Sequence, residues 1–387
     1  MSEAEVELFR RRGAARWFRD SLEAAEGATG DPFEPVPGWR GFHRIRRRDD
    51  GACGFLSPGN RCRLHEELDG QKPLTCRMYP LSFHPTSDAV IVKASFGCPA
   101  VVANTGASLA EGEGLAQVKA LRAEWFARRP EASSPRPLVE GRTIDPASLR
   151  MLRESLLQML DRVDAVGERD LRANVRLMAH TLEDLTRHRV VKLPDSDFAE
   201  YLRLTTRHAA TAGPVPPPRP PGRVGRLLQH GFLFVVAATR LRQEGRGQSR
   251  FALRLATVRL LAHFHRLAPG FARVDVSVLP RERVDVNAPG VQPVVRRYLR
   301  SSLHAMGAGE HPVLDDLAIA VSFLNAACAL AVMNARAAGR PIDGDVFSDA
   351  LMEAVELAQG SQRGVMGRAL RLMAGGVESL HALASPG

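Results

Sequence analysis

The cysteines of this chain are Cys53, Cys62, Cys76, Cys98 and Cys328, and the first four fall within 46 of its 387 residues in the spacing C-x8-C-x13-C-x21-C. Thiolate sulfur is the natural ligand of zinc, of iron and of iron–sulfur cores. Where thiols stay reduced, cysteine also gathers for catalysis or for burial as a small apolar side chain. Burial places cysteine on helix faces, which suits Cys328 inside "NAACALAV". The other four lie in a stretch broken by Gly, Pro, Asn and Asp, so the expectation is that Cys53, Cys62, Cys76 and Cys98 sit at backbone breaks and converge on one metal site. No pair has C-x2-C spacing, and zinc, iron and a [4Fe-4S] cluster all stay open.

Four thiolates around a divalent ion leave a net charge of about −2, as they do around an oxidised [4Fe-4S] core. Arg77, next to Cys76, and Arg61 and Arg63, on either side of Cys62, are placed to offset that charge and to donate hydrogen bonds to sulfur. The competing reading is that they are solvated surface residues of an arginine-rich protein. Tyr79 and Pro80 are expected to fix the loop behind Cys76, with Arg77 and Tyr79 at the edge of the bound group. His65 and His84 are nearest in sequence for a mixed site. His263 and His265 of "HFH" point apart on a helix and read as ordinary helix residues.

The stretch "CGFLSPGNRCRLHEELDGQKPLTCRMYPLSF" followed by "FGCPA" resembles the YkgJ-type cysteine-cluster family of zinc- or iron-chelating proteins, which includes the flagellin lysine-N-methylase-like proteins. The matching positions are Cys53 with Phe55 and Leu56, then Cys62, then Pro73, Leu74, Cys76, Arg77, Tyr79 and Pro80, and last Cys98 with Pro99. The match covers about residues 40 to 100, about one-sixth of the chain. It implies a metal or iron–sulfur site. It also implies an enzyme class, protein-lysine N-methylation, with S-adenosylmethionine as donor and a flagellin-like protein as substrate. The family opens with a Cys-x-x-Cys-Cys group, and this sequence has no cysteine before Cys53. Either the reading frame begins upstream or the site is reduced; the first is the expectation.

The elements that must position these residues divide the chain. Residues 1–105 are expected to form the cysteine-cluster module, opening on a short amphipathic helix and containing one extended run, "AVIVKASF". Three- and four-residue apolar spacing in "LAQVKALRAEWFARR", "PASLRMLRESLLQMLDRV" and "RDLRANVRLMAHTLEDLTRH" predicts a helical region over 106–212. "DSDFAEYLRLTTRHA" adds a further helix, with Asp195 or Ser196 as its N-cap. "AGPVPPPRPPG" cannot be helix and reads as a Pro-rich linker over 213–222. A second helical region follows over 223–387, irregular between Phe271 and Gly290. The fold class is therefore mainly α, an irregular loop-rich cysteine-cluster module with short strands followed by a large helical region.

The formal net charge of +10 favours acidic partners, and "HRIRRRDDG" is the sharpest basic run. Nucleic-acid binding is thus the main alternative, although aromatics make up 6% and no binding motif is evident. A helical adaptor with a structural zinc site is a third reading. Leu317 to Ala335 approaches membrane-spanning length, but Ser322, Asn325 and Asn334 oppose insertion, so a buried helix and no membrane contact are expected. The charged first twenty residues carry no signal-peptide core, which points to the cytoplasm. No phosphate-binding loop, zinc-protease His-Glu pair or nucleophile elbow occurs, and no Gly-rich turn follows a suitable strand for a Rossmann-type donor site.

Overall fold

A computed structural model describes residues 1–217 apart from 22–30, 37–40, 49–51, 58, 60, 69–71, 86–89, 107, 128–135, 140, 164–166, 168, 212–214 and 216, then 284–361 apart from 308–311, and residue 383. In chain order the elements are α1 (Glu3–Arg11), α2 (Ala14–Ser21), β1 (Phe33–Pro35), β2 (His43–Ile45), α3 (Arg63–Glu67), α4 (Leu74–Met78), β3 (Leu81–Pro85), β4 (Val90–Ala94) and α5 (Pro99–Ala103). Next come α6 (Gly112–Ala127), β5 (Arg136–Val139), β6 (Arg142–Ile144), α7 (Pro146–Asp161), α8 (Leu171–Thr186), α9 (His188–Val191) and α10 (Asp195–Thr211). After residue 283 follow α11 (Gln292–His304), α12 (Val313–Ala338) and α13 (Gly344–Ser361). The described chain is mainly α, and its strands form separate two-stranded antiparallel pairs. The linker over 213–222, apart from residues 215 and 217, and the helices expected between 223 and 270 lie outside the described residues, as do His263 and His265.

The chain divides into two compact units, the first built from Met1–Tyr79 and Ser108–Arg129. Its core is aromatic: Phe9, Trp17, Phe18, Phe33 and Phe55 gather with Val6, Leu64 and Leu68. Phe18 and Phe55 meet edge to face with ring centres 5.5 Å apart, a geometry that adds about 0.5–1.5 kcal/mol to the burial itself. The spacing of Val6 and Phe9 gives α1 one buried face, and Ser2 starts the helix. The Ser2 hydroxyl accepts from the Glu5 N–H at 3.3 Å, while the Ser2 N–H donates to the Glu5 carboxylate at 2.9 Å. The β1–β2 pair sets Phe33 opposite Ile45 and carries the chain toward Cys53.

The second unit takes the described parts of Pro80–Ala107, Pro130–Arg242 and Gln248–Gly387. Its core is aliphatic and helical. Leu152, Leu156 and Met159 of α7 meet Val175, Met178 and Leu182 of α8, Leu202 of α10, Leu299 of α11 and Phe347 of α13. The uncharged run foreseen as a buried helix is α12, which packs most extensively on α13. By length and composition α12 could cross a membrane, yet 67% of its most apolar stretch is buried inside the protein. Pro312 opens it, and Gly339 closes it at φ +62°, a left-handed cap that returns its N–H to Ala335 and Arg336.

The cap of α10 differs from expectation. Pro194 occupies that position and its carbonyl accepts from the Phe198 N–H at 2.9 Å, so Asp195 and Ser196 lie within the first turn. Proline lacks an N–H, and the residue before a helix has no intrahelical acceptor for one. The run "AVIVKASF" forms β4, paired with β3 in the register Ser82 to Lys93 and His84 to Ile91. The β5–β6 pair has no counterpart in the sequence reading; its strands are short and a bulge interrupts the register.

Candidate cysteine site

Two tight reversals place Cys53 and Cys62. Cys53 pairs with Arg47 in a single antiparallel bridge, and the Gly54 N–H donates to the Arg46 carbonyl at 3.1 Å. Leu56 then pairs with Cys62, with Ser57 donating to the Arg61 carbonyl at 2.8 Å and Arg63 to that of Phe55 at 2.9 Å. Phe55 lies between the two reversals, wholly buried, and both Cys53 and Cys62 pack against the aromatic cluster it belongs to. Gly54 has no room for a side chain: a Cβ there would stand 2.0 Å from the Phe18 ring and 2.9 Å from the Arg46 carbonyl. The Arg48 guanidinium ties the corner by donating to the Leu56 carbonyl at 2.8 Å.

Cys62 is the residue before α3. Cys76 is inside α4, behind Pro73, and not at a backbone break as expected, because Pro73 at the cap position starts a helical turn that runs through Met78. That helix is anchored from a distance: the Leu74 N–H donates to the Glu5 carboxylate at 3.2 Å, so the capping residue of α1 also holds the start of α4. Cys53, Cys62 and Cys76 thus come from three segments of one unit, and all are free thiols, partly buried.

Burial pushes the Cys76 thiol up to about 11, and the Cys53 and Cys62 sulfurs push the same way, while the Thr75 hydroxyl and the Lys72 charge oppose them more weakly. Burial likewise raises Cys53; a Phe55 N–H to its sulfur works against that, Cys62 adds to it, and Arg47 and Arg48 oppose it. Cys62 thus acts on both Cys53 and Cys76, and Cys53 acts on Cys76. Among the described residues no three Cys, His, Asp or Glu side chains are gathered closely enough to hold a metal ion as they stand. Cys98 belongs to the second unit, where it precedes α5, with Pro99 in the first turn of that helix. Cys328 lies in α12 and packs against the helical core.

The arginines take protein partners. Arg77 donates to the Lys72 carbonyl at 3.0 Å and to Glu124 of α6 at 2.6 Å, which fastens α4 to α6. Arg61 and Arg63 both pair with Glu66, at 3.3 Å and 3.6 Å. In the basic run that begins with β2, Arg44 pairs with Glu34 of β1 at 3.0 Å. Tyr79 follows the last residue of α4 and is 56% exposed, and the Pro80 carbonyl accepts from Ser95 at 2.8 Å. His65 is exposed on α3, and His84 Nε2 meets the Ser82 hydroxyl at 2.9 Å on β3, in the second unit.

Sequence reasoning missed Glu5, Gly54 and Glu124. Glu5 had a readable signal, since Ser2-x-x-Glu5 is the capping-box pattern. Glu124 had none, because its partner stands 47 residues away. No family model, no curated protein and no solved structure matches the chain.

Proposed function

We propose that the first unit is a metal-binding cysteine module, with Cys53, Cys62 and Cys76 as sulfur ligands for zinc, iron or an iron–sulfur core. The observation that supports this is the arrival of three partly buried free thiols, from three chain segments, within reach of one another's charge. Inert burial accounts for a cysteine on a helix face such as Cys328. It does not account for three on short, separately anchored segments. The donor set is all sulfur, which suits zinc and iron better than calcium or magnesium. Metal capture draws the three sulfurs closer and displaces their protons. The adjoining arginines, engaged with Glu66 and Glu124, hold the segments in place.

The test is metal analysis of anaerobically purified full-length chain. Expected is about one ion per chain, or about four irons with visible charge-transfer absorption for a cluster. The Cys53→Ser, Cys62→Ser and Cys76→Ser proteins lose that content, and Cys328→Ser keeps it. Wild-type chain holding no more metal than the triple serine protein sinks the proposal. Cys98→Ser decides whether a fourth ligand comes from that position. The resemblance of residues 40–100 directs the first activity assay to lysine N-methylation of a flagellin-like protein, with S-adenosylmethionine as donor.

A further inference from the structure

Helix α11 carries Arg296, Arg300 and His304 at four-residue intervals, so the three basic side chains follow one stripe. The end of α7 meets that stripe through Asp161, which accepts from Arg296 at 2.9 Å and 2.5 Å and also from Arg300. One carboxylate is shared by two guanidiniums. Toward the other end, Arg153 of α7 donates to the Met306 carbonyl at 3.0 Å, just past the end of α11. His304 is held below its ordinary value, first by desolvation of its partly covered ring and then by the charges of Arg300 and Arg153. The stripe is open to solvent: Arg296 and Arg300 keep 30% and 40% of their side-chain surface, and His304 is exposed.

Like charges held this close repel, and Asp161 brings a single negative charge to two bonded arginines. A tetrahedral oxyanion fits the planar guanidinium fork and supplies the second. We propose that the seam between α7 and α11 is a binding site for a phosphate-class oxyanion, held by Arg300 and Arg296, with His304 closing its far end. The anion competes with Asp161 for Arg300. A simple clamp between two helices, the alternative role for these residues, requires no anion at all.

The two roles separate in one set of titrations of the full chain, by calorimetry and by the His304 ring resonance, with sodium chloride at matched ionic strength as reference. The probes are inorganic phosphate and O-phosphoserine. Saturable one-site binding of either supports the site, and binding of the ester alone identifies an esterified ligand. Phosphate raises the midpoint of the His304 titration. Asp161→Asn tightens binding about tenfold, as expected when a competitor worth one charged contact is removed, while Arg300→Gln weakens it by at least as much. A response no greater than that to chloride, or equal binding by Arg300→Gln, overturns the proposal. Should Asp161→Asn fail to fold, Arg300→Gln and His304→Gln carry the test.

Discussion

Phe55 stands between Cys53 and Cys62 in sequence and at the centre of the first unit's core, so one side chain serves both the fold and the sulfur geometry. Truncating a buried phenylalanine costs about 3–5 kcal/mol. Phe55→Ala is therefore expected to lower the urea midpoint of the first unit's transition strongly and to reduce metal content with it. Phe55→Leu, which fills most of the space, keeps metal at a smaller cost. Arg77 illustrates the weaker class of contact. Its pair with Glu124 is about one-third exposed on each side, and such pairs contribute about 0.2–1 kcal/mol. Arg77→Gln and Glu124→Gln are each expected to shift stability by no more than that and to leave metal content unchanged. A large loss of metal in Arg77→Gln, with stability intact, would instead assign the arginine to the sulfur site directly.

Between elements, fastening depends on carboxylates that serve two masters. Glu5 closes the capping box of α1 and accepts from the first N–H of α4, and losing such a cap costs about 1 kcal/mol. Glu5→Ala should loosen α4, read as faster amide exchange at Cys76 and Arg77. Asp161 plays the corresponding part between α7 and α11. Burial works against its charge, but hydrogen bonds from Arg296 and Arg300 and their charges outweigh this and hold its carboxyl below the ordinary value of 3.8. Its contribution is therefore complete above the ordinary carboxylate range and is lost as pH falls through the lower, folded-state value. An acid titration followed by helix circular dichroism should show wild type losing its advantage over Asp161→Asn below pH about 4. At neutral pH that variant is expected to be less stable by about 1–3 kcal/mol. The length and lack of charge of Leu317 to Ala335 foretold α12, which is buried on more than one face, and apolar spacing foretold α6, α7, α8 and α10. It missed β5 and β6, whose three or four residues carry no usable period, and it placed Cys76 in a loop although Pro73 opens a turn of helix there.

At the scale of the molecule, the two units differ in what holds them. The first relies on a small aromatic core, and the second on a large aliphatic helical core. If the sulfur site takes a metal, its binding energy acts on the first unit. Zinc or iron should then protect amides over residues 43–78 from exchange, while α7, α8 and α12 exchange at unchanged rates. Protection spread evenly over both units would contradict this. The cysteines were legible as a group because residue type and clustering survive in one dimension. Their division was not: Cys98 lies 22 positions after Cys76 but in the second unit, and chain distance says nothing about which core a segment joins.

The crowded corner at Gly54 has a practical meaning for anyone randomising these positions. A library at 53, 54, 55, 62 and 76 selected for folding alone should return glycine at 54, because a methyl group there would strike the Phe18 ring and the Arg46 carbonyl. Selection for bound metal should add cysteine at 53, 62 and 76. Comparing the two harvests separates the residues that shape the corner from those that do its chemistry.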